Sequence, residues 1–233
     1  MTPRTRLGIV IAALILSIFF WESVALYPVK LFVVLLHELS HALAAILTGG
    51  SVEEIQIDSR IGGLALTRGG WSWVIVSAGY LGSMIMGGII FLVSLRRKAS
   101  ITVTIVTGAV VLITTLLFVR NGFGLIFGLA FGAALLAAAR WLPEQWLSLL
   151  VQYLGAMSCL YALVDVKEDL LTLESRVTDA SILSDMTGIP AIVWGVIWSL
   201  LALAVFIIIM RSAWHAASRA AEKQGLPGSS LSP

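Results

Sequence analysis

Two histidines and a glutamate interrupt the apolar run "VVLLHELSHALAAIL", residues 33–47. In an α-helix, residues four apart lie on the same face, so His37 and His41 can direct ring nitrogens at a single metal ion. Glu38 is next to His37 and can reach a water molecule on that metal without being a ligand. This spacing is typical of Zn²⁺ hydrolases, in which two imidazoles and a third protein group hold the ion and a glutamate takes a proton from the water. The motif predicts a zinc site whose third ligand lies elsewhere in the chain.

The composition indicates that this motif lies in a membrane protein. The chain has 233 residues, of which 59% are hydrophobic and 12% are charged, whereas a soluble domain has about 45–50% and about 25%. Apolar stretches long enough to cross a bilayer as a helix recur at residues 7–27, 28–48, 72–95, 101–119, 123–140, 146–165 and 189–210. They lack the alternating pattern of a membrane barrel. We therefore expect an all-α polytopic membrane protein with about seven transmembrane helices, six being the alternative.

The membrane setting favours the zinc interpretation of the motif. Ionisable groups within a bilayer are energetically costly and commonly mark functional sites. The alternative is a buried polar network in which His and Ser side chains hydrogen bond across neighbouring helices.

Residues 51–70 have a different pattern, "SVEEIQIDSRIGGLALTRGG". Ile55 and Ile57 alternate with polar residues, and Leu64 and Leu66 repeat the two-residue period after a pair of glycines. The pattern predicts a small juxtamembrane β-hairpin, and an ordinary solvated connector is the alternative.

The third ligand is sought on the side of the membrane where this hairpin lies. If the spans alternate in direction, the second, fourth and sixth all end on that side. Asp165, which ends the sixth span, is the first candidate, and Asp169, one helical turn further, is the alternative. Asp179 and Asp185 are interpreted as helix-cap or loop residues. Asn121 falls on the same side and either binds the backbone of a substrate or closes a turn before a glycine.

Other features restrict the class of protein. The chain has one cysteine, Cys159, so an intrachain disulfide is excluded. The net charge of +2 and the lack of a long basic segment give no support for nucleic acid binding. We expect one membrane-embedded domain over residues 1–210 and a flexible C-terminal tail over residues 211–233. Basic residues divide almost evenly between the two expected sides, so the orientation is open, as are the membrane and the oligomeric state.

The segments "HELSHALAAILTGG", "GGWSWVIVSAGYLGS", "YALVDVKEDL" and "RVTDA", with the β-like stretch after the first, resemble the site-2 protease family of intramembrane zinc metallopeptidases. The likeness extends over roughly residues 30–200 and is greatest to the M50B-like branch. Better-known members supply an aspartate ligand from an "LDG" motif, often after an "NxxP"-type segment. This chain has neither motif intact: Asp165 is followed by Val166 in place of the glycine of "LDG", and Asn121 is followed by Gly122 in "RNGFG" without the proline of "NxxP".

The resemblance implies a metallopeptidase-like domain that hydrolyses a peptide bond in or near a transmembrane segment of another membrane protein. It implies that His37 and His41 are zinc ligands and that Glu38 is the general base. Two other functions fit the same residues. One is a metal-binding membrane protein that does not hydrolyse, such as a pseudo-protease scaffold or regulator, and the other is an ion transporter.

Overall fold

The structure is a computed structural model that describes the backbone of residues 1–171 and 178–223, without the side chains of Arg97 and of residues 162–171 and 221–223. Within those residues there are eight α-helices, a short 3₁₀ helix at Val24–Leu26 and two β-strands. The helices are α1 Pro3–Phe19, α2 Tyr27–Leu47, α3 Ser72–Ser94, α4 Arg97–Phe118, α5 Gly122–Trp141, α6 Glu144–Leu171, α7 Asp179–Thr187 and α8 Ala191–Lys223.

The predicted polytopic helical architecture is confirmed. All seven apolar stretches of the sequence correspond to a helix of 17 residues or more, and only α7, with nine residues, lies outside them. Among the described residues, five helical segments are long and apolar enough to cross a membrane, and they correspond to all or most of α2, α3, α4, α5 and α8. The α2 segment is the most buried of the five, so the helix that carries the "HELSH" motif lies at the centre of the bundle.

Proline and glycine define the ends of the central helix. Pro28 lies in the first turn of α2, where its missing N–H is not needed. Gly49 follows the helix with φ of 84°, a conformation that glycine adopts without steric cost. The chain therefore turns sharply after α2 and enters the first strand.

The predicted β-hairpin is also confirmed. Strand β1 (Ser51–Asp58) pairs in antiparallel fashion with β2 (Gly62–Arg68), with Ile55 opposite Ala65 and Ile57 opposite Gly63. Ile55 and Ile57 are fully buried in the core that surrounds α2. The alternation seen in the sequence thus arises because one face of β1 packs on the helices.

The hairpin folds back along α2. At its base, Gly50 packs closely against Gly69, just beyond the end of α2. At its tip, the hydroxyl of Tyr27, the first residue of α2, donates a 2.7 Å hydrogen bond to the carbonyl of Ser59. The two strands therefore run beside the spanning helix for most of its length.

The turn between α4 and α5 covers the outer edge of β1. Val119 forms a parallel bridge with Ile55, and the N–H of Arg120 donates to the carbonyl of Ile55 at 3.1 Å. The side-chain amide of Asn121 both donates to the carbonyl of Ile57 and accepts from its N–H. Strand β1 is thus paired on both edges, which satisfies backbone groups that are buried away from water.

A buried polar cluster joins four helices beside the end of α3, at the end of α4 that is opposite the α4–α5 turn. The carbonyl of Ser94, the last residue of α3, accepts hydrogen bonds from Ser100, Ser148 and Gln152 at 3.2, 3.2 and 3.0 Å. Arg6 of α1 donates to Ser148 at 3.0 Å. We call these five residues the Ser94 cluster. It places the start of α1 beside the end of α3 and the start of α6.

Helix α8 continues into the segment where a tail is expected. Residues 211–223 are helical, because "RSAWHAASRAAEK" is rich in alanine and other strong helix formers. Ala213 and Ala217 are buried in the same cluster as Leu7 of α1. The rest of the expected tail, residues 224–233, lies outside the described residues, and the boundary of a single domain at residue 210 stays a prediction.

Candidate metal centre

Helix α2 brings His37 and His41 together, as the four-residue spacing predicts. Their ring centroids are 4.8 Å apart, in an edge-on arrangement. Side chains on this part of α2 are largely buried: 16% of the His37 side chain and 10% of the His41 side chain are exposed. The two Nε2 atoms point into one cavity.

A hydrogen bond to the backbone of α3 fixes the tautomer of His41. Its Nδ1 atom lies 2.6 Å from the carbonyl oxygen of Ile75, and a carbonyl can only accept, so Nδ1 carries the proton. Nε2 is then the atom that would offer a lone pair to a metal ion when the ring is neutral. This is the arrangement by which proteins orient histidine ligands toward a metal.

Aromatic packing holds His37. The Tyr80 ring meets the His37 ring edge-on at 4.8 Å, and Trp198 of α8 stacks on Tyr80 at 4.7 Å. The first histidine is therefore supported by side chains from two further helices, α3 and α8.

The carboxylate beside both histidines belongs to Asp179. Its Oδ2 atom lies 3.0 Å from Nε2 of His37 and 3.2 Å from Nε2 of His41. One ligand atom from each of these three residues can be chosen so that all three lie within 4.8 Å of one another. We call His37, His41 and Asp179 the His–Asp cluster.

The short helix α7 delivers Asp179 to this position. Thr178 caps the helix by accepting from the N–H of Ser181, and the Ser181 side chain bonds back to Thr178 in a capping box. Because Thr178 satisfies the helix end, the carboxylate of Asp179, the first residue of α7, is free to face the histidines. Helix α7 itself packs against α3 and α8.

The charge state of Asp179 suits a metal ligand. Burial by itself raises the pKa of the Asp179 carboxyl, but hydrogen bonds and positive charge from His37 and His41 outweigh burial and hold that pKa below its usual value. Two imidazole nitrogens and one carboxylate oxygen form the donor set of many catalytic zinc sites, which leave a fourth position for water or substrate. The residues that are present therefore fit Zn²⁺.

Glycine at position 79 makes room for the ligand atoms. A Cβ atom at Gly79 would lie less than 3.0 Å from Nε2 of both His37 and His41. Any side chain here would occupy the space in which the ligand atoms converge. The sequence stretch "AGYLGS" thus contributes a residue that serves the site by its small size.

Glu38 lies between the histidines and the hairpin. Its side chain is almost fully buried and accepts a hydrogen bond from the backbone of Ala65 in β2. A Cβ atom at Gly63 would also meet the Glu38 carboxylate within 3.0 Å. Strand β2 therefore positions the glutamate, and glycine is required for this close approach.

One cavity of about 570 Å³ contains all four of these side chains. Its walls are α2, β1, β2, the hairpin loop, α3, α7 and Tyr161 of α6. Polar and apolar side chains both line it. The four side chains are therefore reachable from a single cavity.

The other predicted site residues have different outcomes. The side chains of Asp165 and Asp169, near the end of α6, lie outside the described residues, so their ligand role stays a prediction. Asn121 lies in the turn beside β1, where its side-chain amide hydrogen bonds to the backbone N–H and carbonyl of Ile57. Its predicted contact with substrate is not tested.

Asp179 is the residue that sequence reasoning did not select as a ligand. The interpretation of Asp179 (in "RVTDA") and Asp185 as helix-cap or loop residues is wrong: Thr178 is the N-cap, Asp179 is the first residue of α7, and Asp185 lies within that helix. The signal that was available is that Thr178 alone can cap the helix, which leaves the neighbouring carboxylate for another role.

A comparison with protein families gives the clearest likeness. A family model described as Peptidase M50B-like matches residues 10–209. The chain belongs to this peptidase family. As a member of the Peptidase M50B-like family it is a hydrolase of a metallopeptidase group, and its apolar helices identify it as a multi-pass membrane protein. No curated protein and no solved structure matches the chain.

Proposed function

We propose that this M50B-like peptidase is a zinc-dependent endopeptidase that cuts a peptide bond in or near a transmembrane segment of another membrane protein. The single observation that carries the proposal is the convergence of His37, His41 and Asp179 beside a buried Glu38. A structural polar cluster does not require a glutamate next to the ligand atoms, whereas peptide hydrolysis does.

The His–Asp cluster would hold the zinc ion through Nε2 of His37, Nε2 of His41 and a carboxylate oxygen of Asp179. When bound, Zn²⁺ supplies Lewis-acid chemistry: it polarises a carbonyl and lowers the pKa of water. The Ile75 carbonyl and the Tyr80 ring keep the two imidazoles in place for this task.

Glu38 would act as the general base. Its carboxylate accepts a proton from the attacking water and can return it to the nitrogen of the broken peptide bond. The hydrogen bond from the Ala65 backbone holds one side of the carboxylate, so the other side can face the cavity. General base catalysis by a positioned side chain contributes roughly 10²–10⁴-fold to a rate.

Strand β2 offers a binding edge for the substrate. Backbone groups of Ile55 and Ile57 bond outward, to Arg120 and Asn121, so these two residues form non-hydrogen-bonded pairs with Ala65 and Gly63. Gly63 and Ala65 must then direct their own N–H and C=O groups away from β1. The Ala65 N–H is already bonded to Glu38, and this outer edge of β2 lines the cavity beside that glutamate.

An added strand would solve a problem specific to membrane substrates. A transmembrane helix hydrogen bonds its own carbonyls, so it must unwind before a peptide bond can be attacked. Strand addition to β2 replaces the lost hydrogen bonds and brings the unwound segment past Glu38.

The test uses Glu38→Gln in the full-length protein, reconstituted with zinc and incubated with candidate single-span membrane proteins. We expect this variant to keep about one zinc per chain, because Glu38 is not a ligand, and to lose cleavage by about 10²-fold or more. Ser83→Ala is the matched control and should cut normally: Ser83 also lines the cavity, and among the described residues its hydroxyl bonds to carbonyls of α3 alone. Undiminished cleavage by Glu38→Gln, or purified protein that binds no zinc, would contradict the proposal and favour a scaffold or a transporter.

A further inference from the structure

The tip of the hairpin contains a strained residue that faces the cavity. Three residues, Ser59–Ile61, connect β1 to β2, and the N–H of Ile61 donates to the carbonyl of Asp58 at 3.2 Å. A three-residue loop of this kind needs a left-handed conformation at its last position, which is normally glycine. Here that position is Ile61, with φ of 65°, the only positive φ of a non-glycine residue in the described part of the chain.

A β-branched residue in this conformation is a true outlier, and the surrounding structure must enforce it. The carbonyl of Ser59 is held by the Tyr27 hydroxyl, and the Asp58 carboxylate accepts from the N–H of Arg60. The next two residues, Gly62 and Gly63, are glycines, yet the pairing register places Ile61 at the left-handed position. The backbone conformation favours glycine there, so we infer that the isoleucine side chain is needed for another reason.

The Ile61 side chain lies at the wall of the cavity. It lines the same cavity as Glu38 and packs against the buried cluster that contains Val33, Val34 and Tyr161. These three residues line the cavity too, so together with Ile61 they form an apolar wall. Ile61 lies two residues before Gly63, whose backbone touches Glu38.

We propose that Ile61, Val33, Val34 and Tyr161 form a side-chain subsite that selects a branched or aliphatic residue of the substrate, about two residues from the bond that is cut. The inference rests on the proposed function, since it assumes that a peptide lies along β2. Ile61 is the specificity-determining member, because its contacts come from a loop that could otherwise have used glycine.

The first experiment separates this subsite from catalysis. Tripeptide hydroxamates bind zinc without being cut. The experiment compares two of them, which have leucine or aspartate at the residue farthest from the hydroxamate and are otherwise identical. Binding is measured by fluorescence polarisation on full-length, zinc-loaded Glu38→Gln protein in nanodiscs. We expect about a tenfold preference for leucine, and Ile61→Gly in the same background should reduce it to less than about threefold.

Val52→Gly is the matched control. Val52 is another partly buried aliphatic residue of the hairpin, packed against the same cluster, but it has an ordinary φ and does not line the cavity. We expect Val52→Gly to lower the thermal midpoint and keep the leucine preference. Ile61→Gly should lower the midpoint by less, because the relief of backbone strain offsets the lost contacts, and should lose the preference.

The second experiment maps cut sites of wild type and Ile61→Gly in a mixture of unstructured peptides by mass spectrometry. Aliphatic enrichment beside the cut in wild type, reduced in Ile61→Gly, supports the subsite. An unchanged hydroxamate preference in Ile61→Gly would overturn it, whether or not peptides are cut. If the Glu38→Gln protein binds the hydroxamates with a preference that depends on Ile61, but wild type cuts no protein or peptide, the subsite stands and the protease function fails.

Discussion

The Ser94 cluster and the His–Asp cluster are both buried in the described part of this helical bundle, and they differ in where their hydrogen bonds end. In the Ser94 cluster, three donors converge on one backbone carbonyl that has no partner within its own helix. In the His–Asp cluster, two imidazole nitrogens and a carboxylate oxygen converge on one another. The first cluster completes the hydrogen bonding of a helix end, whereas the second gathers lone pairs that a cation would satisfy.

The difference shows that polarity inside a membrane does not by itself mark an active site. The Ser94 cluster joins four helices and the His–Asp cluster joins two, and both consist of residues that would be costly if they were exposed to lipid. What distinguishes the His–Asp cluster is a cavity, a neighbouring general base and a glycine, Gly79, that keeps the ligand atoms accessible. The comparison can be tested by removing one member of each cluster.

The largest expected effect follows from His41→Ala. A catalytic zinc site has only three protein ligands, so loss of one imidazole should weaken zinc binding by more than about 100-fold and abolish peptide cleavage. Zinc content of the purified variant, measured by atomic absorption, checks the expectation. Ser148→Ala in the Ser94 cluster is the control: it should keep the zinc and lose about 1–3 kcal/mol of the free energy of unfolding, because the Ser148 hydroxyl accepts from buried Arg6 and Gln152. Equal zinc content in both variants would remove the distinction between the clusters.

A somewhat smaller effect is expected from Asp179→Asn. The amide keeps the size of the side chain but removes its negative charge, so we expect zinc affinity to fall by about 10–100-fold. Competition with a fluorescent zinc chelator measures this affinity. Asp185→Asn, an exposed residue in the same short helix, should have no effect. If Asp179→Asn kept the zinc and Asp165→Asn or Asp169→Asn lost it, the ligand proposed from the sequence would replace the one supported by the structure.

Gly79→Ala should have the smallest effect on zinc affinity, and it tests the position of the ligand atoms most directly. The added methyl group meets Nε2 of both histidines, so zinc affinity should fall by about tenfold although no ligand has changed. Gly88→Ala, in the same helix, is the matched control because its methyl group would make only an ordinary contact, 3.5 Å from Val205. Both variants replace glycine by a better helix former, so their thermal midpoints should not fall through helix propensity. Unchanged zinc affinity in Gly79→Ala would contradict the position of the ligand atoms.

Local patterns in the sequence determined much of this protein. The lengths of the apolar stretches predicted the long helices, because a bilayer requires about 20 apolar residues to cross it. The four-residue spacing of His37 and His41 placed both rings on one helix face, and the two-residue alternation predicted the hairpin. Each of these conclusions depends on residues that are close together in the chain.

Contacts between distant residues were decided by the tertiary structure alone. Asp179 lies more than 130 positions from His41 in the chain, and no local period connects a short capped helix to the face of α2. The contact arises because α7 packs on α3 and α8, which also support His37. The strain at Ile61 likewise depends on the pairing register of β1 and β2, which the sequence suggested only as a hairpin. Periodicity therefore specified the elements and two of the three candidate ligands of the metal centre, and packing between helices supplied the third.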